Sequence, residues 1–138
     1  MPAYDACYLD SMIQKTRYLF KLIARNCDDV FSVIEMYMMG EYRAQMDWGN
    51  PLYLNKTPKQ ILSSIGVLVD DSALISEKYD EFVLEWMADI YTYMQWEYDF
   101  LSKEIVEKIK PKELYSKYYP LHEASVENGV EKLRILYW

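Results

Sequence analysis

The chain has 138 residues, 51% of them apolar, and a net charge of −7, which is typical of one folded domain. The negative charge argues against binding to DNA or RNA, because that affinity comes mainly from Lys and Arg side chains that neutralise phosphates. No apolar run approaches the roughly 18 residues that a membrane span needs, and the N-terminus MPAYDACYLD lacks the features of a secretory signal, so we expect a cytoplasmic protein without a membrane partner.

Helical periodicity dominates the sequence and predicts a single all-α domain over residues 1–138. Apolar residues spaced three and four apart predict a first amphipathic helix from about residue 4 to residue 25. The segment NCDD offers caps for a second helix, which Gly40 ends. The chain therefore opens with two consecutive helices.

The segment 41–56 is less regular, and we predict it to be mostly loop. Within it, Arg43 and Asp47 are spaced so that they could pair on one helical turn. The segment 57–66 begins with Thr-Pro and ends with Gly, which are the start and stop signals of a short helix.

A long helix is predicted from about Ser76 to Phe100, and it has a wide apolar arc. The segments SKEIVEKI and PKELYSKYY predict two further short helices, and a last one runs from a cap at Ser125 to Ile135. These signals predict a bundle of about seven helices around the long helix as its centre.

An acidic row stands out on the long helix. Residues 71–100 contain 1 Lys and 8 Asp or Glu, so this segment alone carries a charge of −7. Four of its carboxylates recur at every fourth residue and share one side of the helix: Glu77, Glu81, Glu85 and Asp89. Their mutual repulsion costs only about 1 kcal/mol in total, which a folded domain tolerates. The row is therefore either a solvated face or a surface that attracts a basic partner.

Two residues near the end of the long helix favour specific roles. Trp96 lies on the same side as the acidic row, where a solvated face has no use for an indole, so either another helix or a partner must cover it. We predict that Trp96 and the four carboxylates bind a partner protein. Glu97 falls within the apolar arc, and we predict that it is buried in a structural ion pair with Arg43, Arg25 being the alternative.

The sequence contains few of the residue patterns that form metal, phosphate-binding or catalytic sites. His122 is the only histidine, which excludes the usual histidine-containing zinc and di-iron motifs, and the four glycines are too isolated to form a phosphate-binding loop. We therefore predict no catalytic, metal or cofactor site and no enzymatic activity. The fourteen tyrosines suit helical cores and protein interfaces equally well.

The order of features from Trp86 onward resembles a group of small, uncharacterised, all-helical bacterial proteins. The resemblance rests on WMADIYTYMQWEYDF, then SKEIVEKI, then PKELYSKYYPLHEAS and a short terminal helix, about the last 50 residues of the chain. Some members of this group accompany toxin genes, so the resemblance implies an antitoxin-like role. It includes no catalytic motif and implies no functional residue.

The leading hypothesis is a non-enzymatic protein, plausibly an antitoxin or inhibitor, whose acidic helix engages a basic surface of a partner protein. One alternative is a ligand-binding or enzymatic helical domain with a tyrosine-lined pocket. Another is an acidic nucleic-acid mimic from a mobile element. A stoichiometric protein complex would favour the first hypothesis, and a small molecule that co-purifies would favour the second.

Overall fold

The computed structural model describes residues 2–70, 72–73 and 78–138, and these residues form ten α-helices and no strand. The helices are α1 (Leu9–Asn26), α2 (Val30–Met39), α3 (Glu41–Asp47), α4 (Pro51–Leu54), α5 (Pro58–Ser64), α6 (Glu81–Tyr98), α7 (Ser102–Lys108), α8 (Pro111–Ser116), α9 (Tyr118–Leu121) and α10 (Val126–Tyr137). A 3₁₀ turn, Ala6–Tyr8, precedes α1. The all-α prediction is confirmed, whereas the count of about seven helices is wrong.

The extra helices come largely from the segment 41–56, which was predicted to be mostly loop. Asn50 caps α4 by accepting a hydrogen bond from the backbone N–H of Leu52, and Pro51 occupies the first helical position. Helix α3 begins directly after Gly40 and buries Arg43 and Met46. Burial of these side chains stabilises turns that local periodicity alone does not reveal.

The helix predicted from about Ser76 to Phe100 is shorter than expected. Asp80 caps α6 through the N–H of Phe82, and the helix runs from Glu81 to Tyr98. Residues 78–80 are not helical, and Ser76 lies outside the described residues. Because α1 and α6 both have 18 residues, the structure contains a pair of long helices and does not confirm a bundle around a single one.

The core lies where α6 packs against α1, α7, α8 and α10. Phe20 of α1 is fully buried and meets the rings of Tyr37 and Tyr91 edge-on, with centroids 6.3 and 6.5 Å away. The Tyr91 hydroxyl donates a hydrogen bond of 2.7 Å to the Ile109 carbonyl, which satisfies a buried polar group. Within the described residues, no helix combines the length and apolar character needed to cross a membrane.

Gly49 forms a tight contact with the N-terminal segment. Its φ is +75°, and an added Cβ would lie 3.2 Å from the Tyr4 Cβ. We expect Gly49→Ala to lower the free energy of unfolding by about 2 kcal/mol or more, since it combines left-handed strain with a clash. Gly66 is the matched control, with φ +83° and open space around its Cα, and Gly66→Ala should cost only about 1 kcal/mol. Equal losses in urea unfolding would show that the Tyr4 contact is unimportant.

Candidate functional site

The acidic row of α6 faces a basic row of α1. Three pairs of residues join the two helices: Arg17 with Asp89, Lys21 with Glu85 and Arg25 with Glu81. Each step of four residues forward along α1 is matched by a step of four residues back along α6, which is the register of antiparallel helices. The carboxylates thus have intramolecular partners.

The pair between Arg17 and Asp89 is the tightest of the three. Nε and Nη2 of Arg17 donate to the two carboxylate oxygens of Asp89, both at 2.6 Å, and Asp89 is buried. This bidentate geometry is the strongest that a guanidinium forms with a carboxylate, and hydrogen bonding to Asp89 raises the pKa of Arg17. The distances lengthen to 3.3 Å for Lys21 Nζ to Glu85 Oε1 and 3.5 Å for Arg25 Nη2 to Glu81 Oε1.

These contacts correct the expectation that the acidic row is the solvent-facing side of the helix. The row is half-buried at Glu81 and Glu85 and buried at Asp89, because α1 covers it. Glu77 lies outside the described residues. A basic partner would have to displace the cations of α1, so the exposed charge on which the predicted partner surface depended is absent from these three residues.

Trp96 is covered by the chain's own N-terminal segment. Its indole Nε1 donates a hydrogen bond of 2.7 Å to the Tyr4 carbonyl, and its carbonyl accepts one of 2.9 Å from the Ala3 N–H. Burial raises the pKa of Tyr4 to about 12, so this phenol stays protonated at neutral pH. The indole is thus covered from within the chain, but by a non-helical N-terminal segment and not by another helix as predicted.

The predicted ion pair between Glu97 and Arg43 is wrong. Glu97 is exposed, and its carboxylate accepts a hydrogen bond of 3.3 Å from the Tyr93 hydroxyl. Arg25, the alternative partner, pairs instead with Glu81. Glu97 is exposed because the neighbours of the last turn of α6 cover its other sides, where Gln95 is fully buried and Trp96 bonds to the Tyr4 carbonyl.

Arg43 is buried in a different ion pair, the one that its spacing from Asp47 predicts. Its Nε lies 3.1 Å from Asp47 Oδ1, and only 1% of the Arg43 side chain is exposed. Ser102 completes the pair, since its N–H and its hydroxyl each donate to the Asp47 carboxylate at 2.7 Å. Burial raises the pKa of Asp47, against the opposing effect of the Arg43 charge. The network ties α3 to the start of α7.

An apolar groove lies between the end of α8, α9 and α10. Its volume is about 380 Å³, and its lining includes Tyr119, Pro120, Leu121, Leu133 and Leu136. A neighbouring cavity of about 400 Å³ shares three of the groove's lining residues, so the two adjoin. We call the two together the C-terminal groove. Sequence analysis did not identify it, because its walls come from two separate short helices.

Large apolar side chains of the C-terminal groove are exposed to water. Tyr119 is 71% exposed and Leu136 is 65% exposed. The wall formed by α9 is held in place by His122, whose Nδ1 lies 2.6 Å from the Tyr118 carbonyl and whose ring stacks on Tyr118. Exposed apolar residues in a concave site favour binding of an apolar group.

Two lysines line the same groove. Lys117 lies with its Nζ 5.7 Å from the centroid of the Tyr137 ring, which holds the cation near α10. Lys132 lines both parts of the groove and forms no ion pair within the described part of the chain. Glu123 is the single carboxylate of the lining, in the neighbouring cavity. The groove is thus apolar with an excess of positive charge.

Comparison with protein-family models, with curated proteins and with solved structures finds no match to this chain. The resemblance to small helical bacterial proteins therefore stays a prediction. Among residues 2–70, 72–73 and 78–138, no three His, Cys, Asp or Glu side chains are grouped so that they could hold a metal ion.

Proposed function

We propose that this protein binds another protein and that the C-terminal groove is its binding surface. The observation that carries the proposal is the exposure of Tyr119 and Leu136 within one concave, mostly apolar depression. Burying one large apolar side chain against a partner gains about 1.5 to 3 kcal/mol, so this pair of residues can supply much of a specific affinity. An antitoxin or inhibitor would be one protein of this class.

The proposal keeps the class of function that the sequence favours and changes the surface. The acidic row of α6 offers little free charge, because Arg17, Lys21 and Arg25 neutralise it within the chain. The groove, by contrast, offers apolar area that nothing in the described chain covers. Grooves of this kind typically accept the apolar side chains of a partner's helix or extended segment.

Site-specific photo-crosslinking tests the proposal. A photoreactive benzoyl-phenylalanine at Tyr119 should yield a discrete cross-linked protein in the cells that make this chain. The same probe at Trp48, which is 64% exposed and lines a different cavity, should not yield that product. Leu136→Ser should abolish the product while leaving the melting temperature unchanged, because Leu136 is mostly exposed.

The partner found in this way is then purified and titrated. We expect Leu136→Ser to weaken its affinity at least about 10-fold, as the loss of one apolar anchor implies. Unchanged affinity, or equal cross-linking from Trp48, would contradict the assignment of the groove.

A further inference from the structure

We propose that the C-terminal groove selects an acidic segment of its partner, in which carboxylates flank the apolar side chain that enters between Tyr119 and Leu136. This inference rests on the proposed function and adds the charge of the partner. It follows from the positions of Lys117 and Lys132 in the groove lining. The acidic row had predicted a partner with a basic surface, whereas the groove favours a partner with an acidic segment.

Lys132 is the residue on which the inference mainly depends. It lines both parts of the groove, so a segment that follows the groove would pass its side chain. Its charge has no carboxylate partner in the described chain, unlike Lys21 and Lys110, which pair with Glu85 and Glu35. An ammonium group without a carboxylate partner, next to an apolar wall, favours a ligand that brings both a carboxylate and an apolar side chain.

Lys117 adds a second cation to the groove lining. Its position over the Tyr137 ring restricts its motion, which lowers the entropy lost when it pairs with a ligand. A basic segment would bring its cations close to both lysines as water is excluded, and the carboxylates nearby are Glu123 in the lining and Glu113, which accepts a hydrogen bond from the Tyr137 hydroxyl. The groove thus disfavours basic segments and favours acidic ones.

The positive charge of the groove lining differs in sign from the net charge of the chain. With a net charge of −7, the protein as a whole repels acidic partners, so a groove that binds them needs its own cations. Three carboxylates of the acidic row, Glu81, Glu85 and Asp89, are paired with cations of α1. The groove lining is therefore positively charged, although the protein as a whole has a negative net charge.

Selection from a phage-displayed library of random 12-residue peptides tests the inference on the full chain. Wild-type protein should enrich peptides that place Asp or Glu next to a large apolar residue. Lys132→Glu should remove the acidic preference and weaken the selected peptides at least about 5-fold, since it replaces an attraction by a repulsion. Lys103→Glu, which makes the same charge change at a different cavity, should leave selection and affinity unchanged.

The outcomes separate the two proposals. Enrichment of apolar peptides without acidic residues, lost in Leu136→Ser but kept in Lys132→Glu, would overturn the charge selection and leave the groove as the binding surface. Failure to enrich any peptide whose binding depends on Leu136 would overturn both. A concentration-dependent dimer that Leu136→Ser dissociates would also overturn this inference, because a second copy of the chain would then cover the groove.

Discussion

Arg43→Met should lower the free energy of unfolding by about 3 to 5 kcal/mol, because removing one member of a buried ion pair leaves the other uncompensated. Arg43 and Asp47 are 1% and 3% exposed, so water cannot replace the lost cation. The variant also removes the hydrogen bond of 2.7 Å that the guanidinium donates to the Ser102 hydroxyl. Urea unfolding followed by far-ultraviolet circular dichroism measures the loss.

A second variant separates the charge from the shape of Arg43. Arg43→Met combined with Asp47→Leu removes both charges, and we expect it to recover at least about half of the lost stability, as apolar replacements of whole buried pairs do. Ser102 then loses its acceptor, which limits the recovery. A loss below about 1 kcal/mol for Arg43→Met alone would mean that Asp47 takes up a proton without penalty and that the ion pair is not important for the fold.

Phe20→Ala should cost about 3 to 5 kcal/mol, since it opens a large cavity in a core that cannot collapse fully around it. Phe20 is 0% exposed and contacts rings from α2 and α6, so its removal weakens the contacts of α1 with both helices. Thermal and urea unfolding of the purified variant give the measurement.

Phe82 is the matched control for Phe20. It carries the same side chain on α6 but is 74% exposed, so Phe82→Ala should change stability by less than about 0.5 kcal/mol. Comparable losses at the two positions would contradict the burial that places α1 against α6.

Local rules predicted much of the helical architecture. Thr57 and Gln60 form the capping box that begins α5, and Pro58 stands at its first position. Asp29 caps α2 through the Ser32 N–H, and Gly40 ends that helix. These signals act within a few residues of the helix ends, so they can be recognised in a sequence without knowledge of the tertiary fold.

Glu81, Glu85 and Asp89 were correctly placed on one side of a helix, but their role depends on a distant segment. Arg17, Lys21 and Arg25 repeat at the same four-residue spacing as the carboxylates, and this was the signal that could have predicted the pairing. Periodicity shows which side chains share a face. It does not show which other helix covers that face, because that depends on packing between residues more than 50 positions apart.

Glu97 and the C-terminal groove show the same limit. An ideal helical wheel placed Glu97 inside the apolar arc, yet in the last turn of α6 the neighbours bury Gln95 and leave Glu97 exposed. Leu133 and Leu136 lie three residues apart on α10, but the first is buried and the second exposed. Burial or exposure of these side chains depends on where the helix contacts its neighbours. The sequence pattern of one helix does not contain that information.

The ion pairs between α1 and α6 explain why Glu81, Glu85 and Asp89 share one side of α6, and the pair of Arg17 with Asp89 tests this most directly. A double-mutant cycle compares Arg17→Ala, Asp89→Ala and the double variant by urea unfolding. We expect a coupling energy of about 1 to 3 kcal/mol, because the contact is bidentate and Asp89 is buried. A coupling energy below about 0.3 kcal/mol would contradict a structural role for the row.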